Sequence, residues 1–183
     1  MNLNRNGTPG KLEDNIDMRN WLFFLLLFTQ CTHAPLYELK VEQGSGSGIY
    51  EAGKAVFIAP QLDGALRFVA WEGATEVLPQ PLLATQSFDM PAKDISLSAY
   101  GLPMGQFSFK YEILPIFKQN CALNGCHLDS NRLTNFTDYA SVTVSFSKIQ
   151  QYLLSGFMPL NRVIAAADKN AILSWIDSGM PNN

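Results

Sequence analysis

The sequence predicts two modules, a small all-β domain over residues 36–102 followed by a mainly α domain over 106–183. Two changes in hydrophobic spacing carry that prediction. From Leu36 to about Tyr100 apolar residues alternate in short runs punctuated by Gly and Pro. Beyond Gly101-Leu102-Pro103 the spacing becomes helical. A third observation sets both modules apart from what precedes them: an eight-residue apolar run, Trp21 to Phe28, follows a polar stretch. With 47% hydrophobic and 16% charged residues, 13 Gly and 10 Pro in 183 residues, the composition is globular, neither disordered nor fibrous. The net charge of −3 gives a nucleic-acid-binding surface no support, and no nucleic-acid partner is expected.

Residues 1–17 show no period. Met18-Arg19 and the apolar run then form the n-region and h-region of a secretory signal, with Met18 a candidate start. Eight apolar residues are too few to cross a bilayer, which takes about 20. A buried helix or strand opening a domain is the competing reading. The run leads into Leu27-Phe28-Thr29-Gln30-Cys31, which resembles a bacterial lipobox and implies Cys31 as a lipidated N-terminus. Cleavage after Ala34 is the other possibility, although Pro35 directly follows that bond. The expected layout is an upstream extension and signal peptide over 1–30 and a lipid-attached linker over 31–35. The protein is then exported to the cell envelope, periplasmic or at the cell surface, and held to the membrane by its N-terminal lipid. Export permits disulfides.

The first β segment, Tyr37 to Glu42, places Tyr37, Leu39 and Val41 on one face. A Gly-Ser-Gly-Ser-Gly turn follows over Gly44 to Gly48. Ala55 to Ile58, Leu66 to Trp71, Leu83 to Phe88 and Asp94 to Tyr100 read as further strands, and Pro60, Gly64, Gly73, Pro79, Pro81 and Pro91 separate them. Trp71 and Met90 read as core residues. The blocks Val41 to Gly53, Phe68 to Gly73 and Phe88 to Ile95 resemble, in order, the divergent internalin B-type repeats of bacterial surface proteins. That resemblance implies a surface-exposed structural or interaction module without catalysis, present here in one copy.

In the second module, Phe109 to Gln119 offers Ile113, Ile116 and Phe117 at helical spacing, with Pro115 kinking the helix or marking its first turn. Ser147 to Ser155 offers Ile149, Tyr152 and Leu153. Asp168 to Ser178 offers Ala171, Ile172, Trp175 and Ile176, with Asp168 a candidate N-cap and Gly179 a fitting residue beyond the C-terminus.

Between the first two helical segments stands Cys121-Ala122-Leu123-Asn124-Gly125-Cys126-His127. Two thiols able to add to haem vinyl groups, with a His directly after the second, make up a c-type haem attachment motif; here four residues separate the thiols in place of the common two. A Cys121–Cys126 disulfide, free thiols and a zinc site are the alternatives. Zinc wants four ligands, and Cys121, Cys126 and His127 leave it short. A second axial ligand is available in Met158, which lies 31 residues past His127 in Gly156-Phe157-Met158-Pro159. Met180, in Gly179-Met180-Pro181, is its rival.

These pieces, together with Ile113 to Phe117, Leu133 to Tyr139 and Ile172 to Gly179, run in the order found in small single-haem c-type cytochrome domains of exported bacterial proteins, which this region resembles. The resemblance implies a mainly α cytochrome c-like fold. It implies one covalent haem c, with Cys121 and Cys126 as thioether anchors, His127 as proximal and Met158 as distal iron ligand, and the first helix packed on the last. One-electron transfer to a redox partner protein follows, and not catalysis. A five-coordinate haem sensor or peroxidase-like site, a non-haem surface lipoprotein with a β interaction module, and a domain that has lost its haem remain the other readings.

Overall fold

The structure, a computed structural model, describes residues 34–128 and 133–183. The expected signal peptide and Cys31 lie outside the described residues. Among the described residues no helix is long and apolar enough to cross a membrane.

Seven strands open the described chain. β1 (Leu36–Glu42) keeps the alternation of its sequence: Leu39 and Val41 are buried, Tyr37 is half-buried, and Leu36, Glu38, Lys40 and Glu42 are exposed. The others are β2 (Gly44–Ser45), β3 (Gly48–Glu51), β4 (Ala55–Pro60), β5 (Leu66–Gly73), β6 (Gln86–Asp89) and β7 (Ile95–Pro103). The Gly-Ser-Gly-Ser-Gly run therefore contributes β2 and the first residue of β3 as well as a turn. Gly46 is required within it: its φ is 112°, and a Cβ there would lie 2.6 Å from the Phe57 carbonyl oxygen.

The strands form a four-stranded sheet, β3-β1-β7-β5, and a three-stranded sheet, β2-β4-β6. β1 runs parallel to β7, and the other pairings are antiparallel. Both sheets contribute to one core, with Leu39, Ile58, Trp71, Phe88, Leu97 and Ala99 among its members. This is sandwich packing, in which alternate side chains of two sheets interdigitate. Trp71 and Met90 are core residues, 1% and 2% exposed. The Trp71 indole N–H donates to the Ala84 carbonyl at 3.0 Å, so its polar atom is satisfied where it is buried. The carbonyl of Leu83 accepts from the Gln86 amide at 2.9 Å. Those bonds hold 83–84 in a loop, and β6 begins at Gln86 instead of Leu83.

A register shift between Phe68 and Ala70 breaks the alternation of β5. Val69, Ala70 and Leu102 form a second small cluster, against which Tyr100 and Tyr111 pack. Tyr111 belongs to the helical part, so that part docks on the strands directly.

The helical part opens with a wide π-type turn, Phe109–Ile113, whose N-terminus is capped by the Ser108 hydroxyl accepting from the Tyr111 N–H. It continues into α1 (Leu114–Asn120), with Pro115 in the first turn, where no backbone donor is needed. α2 (Tyr139–Val144), α3 (Phe146–Ser155) and α4 (Ala166–Asp177) follow. Their core gathers Phe109, Ile113, Phe117, Val142, Ile149, Leu153, Ile172, Trp175 and Ile176. α4 meets the first helical segment chiefly at its opening turn: Phe109 and Trp175 have ring centroids 5.4 Å apart. Asp168 lies inside the first turn of α4, and the position before the helix is held by Ala165, which offers no side-chain cap.

The fold class departs from the expectation of an all-β domain followed by a mainly α cytochrome c-like domain. Residues 35–183 form one compact unit. The chain is mixed, about 29% helical and 27% strand, and the described residues hold two sheets and four helices with no clear mainly α cytochrome-like module. The physical reason lies in side chains that spacing does not reveal. Arg67 on β5 pairs with Glu112 at 2.9 Å. The Tyr111 hydroxyl donates to the Glu72 carboxylate at 2.7 Å. These bonds and the apolar contact of Tyr111 bind strand and helix into one body.

Candidate functional site

The opening helical segment delivers its last turn to Cys121. The N–H groups of Cys121 and Ala122 both donate to the Phe117 carbonyl, at 2.8 and 2.7 Å, and the buried Ala122 pins the chain there. The next five residues then turn back. The Leu123 N–H and the His127 N–H both reach the Cys121 carbonyl, at 2.9 and 3.2 Å, and the Cys126 N–H donates to Leu123 at 2.9 Å. Gly125, at φ 76°, supplies the left-handed turn this needs. The four-residue spacing is thus a closed backbone loop that carries Cys126 and His127 back to Cys121.

Cys121 and Cys126 are both free thiols, half-buried and exposed respectively. Burial pushes the Cys121 thiol up to about 11 from 9.0. The neighbouring Cys126 adds to the rise, and the Arg162 guanidinium takes back part of it.

His127 is the most constrained of the sequence-predicted residues. Its Nδ1 lies 2.9 Å from the Thr134 carbonyl oxygen. A carbonyl only accepts, so Nδ1 carries a proton, which in the neutral ring leaves the lone pair on Nε2. A His that ligates a metal characteristically donates its other ring N–H in this way. The ring also stacks on Phe136, with centroids 4.0 Å apart and planes within 2°. In addition, the Phe136 N–H donates to the His127 carbonyl at 3.0 Å. The Thr134 hydroxyl shares a hydrogen bond with Ser145 at 2.9 Å, tying this segment to the start of α3.

Met158 and Met180 have different surroundings. Met158 is half-buried in the loop after α3, past Gly156 in its left-handed conformation, and its N–H donates to the Tyr152 carbonyl at 3.3 Å. Met180 packs against the helical core, and its carbonyl accepts the Tyr139 hydroxyl at 2.7 Å. The backbone loop brings Cys121, Cys126 and His127 together. No hydrogen bond among the described residues ties Met158 to them. Thr134 and Phe136 are the partners of the site that spacing did not single out.

Two features fit the residues to a haem. The first is the His127 lone pair beside an exposed thiol. The second is apolar surface left uncovered in the segment that follows. Val144 and Val163 are 86% and 96% exposed, and Phe146, Leu154, Phe157 and Leu160 are exposed as well. Among the described residues no three His, Cys, Asp or Glu side chains gather to hold a metal ion. Haem iron asks for only one ligand from that set when Met supplies the other. Elsewhere, a shallow groove of about 520 Å³ lies between Ala55, Val77, Pro79, Ser87, Phe88 and Asp89 on the strand side. It brings no cluster of reactive groups together.

No family model, curated protein or solved structure matches the chain.

Proposed function

We propose that this chain is an exported, membrane-anchored electron-transfer protein carrying one covalent haem c. The observation that carries the reading is the His127 ring, directly after Cys126, with Nδ1 bonded to the Thr134 carbonyl and the ring stacked on Phe136. Haem bound there would supply a one-electron ferric/ferrous couple. Cys121 and Cys126 would hold the haem through thioether bonds. The closed loop from Cys121 to His127 holds the second anchor next to the imidazole. His127, through a ring nitrogen, and Met158, through its sulfur, would be the residues that ligate the iron. Cys31 holds the protein to the membrane, and a redox partner protein docks to exchange the electron. The reading includes no substrate and no acid–base step, since His127 is the one histidine of the helical part and is spent as a ligand.

The test is covalent haem on the chain secreted by a host with a c-type maturation system. A haem stain that survives a denaturing gel, and disappears in Cys126→Ala, supports the reading. An unstained band, its mass lower by the two hydrogens of a Cys121–Cys126 disulfide, overturns it.

A further inference from the structure

A ligand imidazole must be fixed in two senses, the direction of its lone pair and the orientation of its plane. The Thr134 carbonyl fixes the first. We propose that Phe136 fixes the second, as the positioning residue of His127. The proposal rests on the haem reading only for its functional consequence, because the stacking belongs to the chain itself.

Phe136 and Thr134 grip His127 at three points within one tripeptide. Thr134 takes the ring nitrogen, the Phe136 ring covers the ring face, and the Phe136 N–H holds the His127 carbonyl. Asn135, between them, turns its side chain to Thr137, accepting from the Thr137 N–H at 2.8 Å and its hydroxyl at 2.7 Å, and stays out of the grip. Phe136 is in turn fixed from behind. Its ring lies 5.2 Å from that of Phe117, which is 1% exposed, on the helix that leads to Cys121. A rigid relay thus runs from Phe117 through Phe136 to the imidazole, and the plane of His127 is set relative to the helix bearing the first thiol.

A purely structural Phe136 needs only to fill space against Phe117, and any apolar side chain of similar volume does that. The parallel arrangement with a half-buried imidazole is more specific. Aromatic pairs left to themselves favour offset or edge-on arrangements over a face-to-face sandwich, and the other aromatic contacts described in the helical part are tilted by 33° to 77°. Among the described residues only the His127 pair is held within 2°. Without the flat face, the imidazole can turn about its last torsion, exchange its two nitrogens and lose Thr134.

The experiment uses the full chain made haem-free, labelled with nitrogen-15. The His127 signals are assigned by their loss in His127→Gln, with His33 as the second histidine for comparison. In the wild type the His127 ring protons are expected upfield of those of His33, with the proton on Nδ1. Phe136→Leu, which keeps an apolar side chain, loses the upfield shift and moves part of the population to the Nε2–H form. Phe136→Tyr, which keeps the flat face, restores both signatures. His127 shifts without ring-current displacement in the wild type overturn the proposal, whatever the variants do. So does a folded Phe136→Leu with unchanged His127 signals. Covalent haem is scored separately on the gel. An unstained protein with a stacked, Nδ1-protonated His127 therefore removes the haem reading and leaves the positioning by Phe136 standing.

Discussion

Arg67 on β5 and Glu112 in the opening helical turn form an ion pair at 2.9 Å, with both side chains about a quarter exposed. The pair is embedded in further bonds. The same guanidinium donates to the Gln106 carbonyl, and the Glu112 carboxylate also accepts the Ser108 N–H at 2.9 Å. Removing either partner strands a partly buried charge together with the groups bonded to it. Arg67→Ala and Glu112→Ala are each expected to cost about 1–3 kcal/mol, read from the urea midpoint. Strand and helix signals should unfold in one transition, and separate transitions would show the two parts to be independent.

Trp175 anchors the helical core. It is fully buried, lies 5.4 Å from Phe109 and 6.3 Å from Tyr139, and donates its indole N–H to the Pro181 carbonyl at 3.1 Å. Trp175→Ala removes the largest side chain of that core and leaves a buried acceptor unpaired. A loss of about 3–5 kcal/mol is expected, measured by thermal or urea unfolding. A loss below 1 kcal/mol would mean that the helices do not close on this residue.

The two candidate thioethers separate by their packing. Met180 belongs to the helical core and Met158 does not. In haem-loaded protein, Met158→Ala should abolish the long-wavelength sulfur-to-iron band of the ferric spectrum. Met180→Leu, which keeps the apolar volume, should leave the band intact. The opposite pattern assigns the distal position to Met180.

The parts of the structure that depend on local spacing are legible in the sequence, and those that depend on distant partners are not. The alternation of Tyr37, Leu39 and Val41 reappears as the buried face of β1, and Pro115 stands in a first turn as its ring geometry requires. The start of β6 moves to Gln86 because the indole of Trp71, a distant residue, claims the Ala84 carbonyl. α2 went unread because six residues carry little period, although Asp138 ahead of Tyr139 is a capping signal. The union of strands and helices rests on Arg67–Glu112 and Glu72–Tyr111, about 40 residues apart in each case, and no periodicity records such pairs. Within the candidate site, Cys121, Cys126 and His127 are visible from spacing. The Thr134 carbonyl is not, because every residue has one, and the Phe136 stack exists only once the chain has returned past His127.

Asp138 gives a pH-dependent test of a capping bond. Its carboxylate accepts from Ser141, whose N–H lies 2.8 Å away, and those bonds hold its pKa below the ordinary 3.8. A depressed folded-state pKa means stability that is present above the unfolded value and lost as pH falls through the folded one. Asp138→Ala should therefore lower the melting temperature at pH 7, and the difference from wild type should shrink as pH falls below 3.8 and vanish once the folded-state carboxyl is protonated. A difference that persists unchanged in acid would assign the effect to something other than the charged cap.

Cys121 gives the opposite dependence, at the alkaline end. Burial first, and then the neighbouring Cys126, raise its thiol from 9.0 to about 11. Two units reduce the thiolate population by about a hundredfold at any pH well below both values. In the folded chain at pH 8, Cys121 should alkylate about a hundred times more slowly than in the urea-unfolded chain, with the modified residue mapped by mass spectrometry. The rate should climb tenfold per pH unit until pH approaches 11. Because the fold favours the protonated thiol, its contribution of about 3 kcal/mol is fully present below pH 9 and is lost as pH rises to 11. The asymmetry bears on attachment. With Cys126 replaced by Ala, the remaining thiol is half-buried and almost wholly protonated, so Cys121 alone should retain little covalent haem. Cys121→Ala, which keeps the exposed thiol next to His127, should retain a single thioether. Equal haem stain in the two variants would show that the burial of Cys121 does not govern the chemistry of the loop.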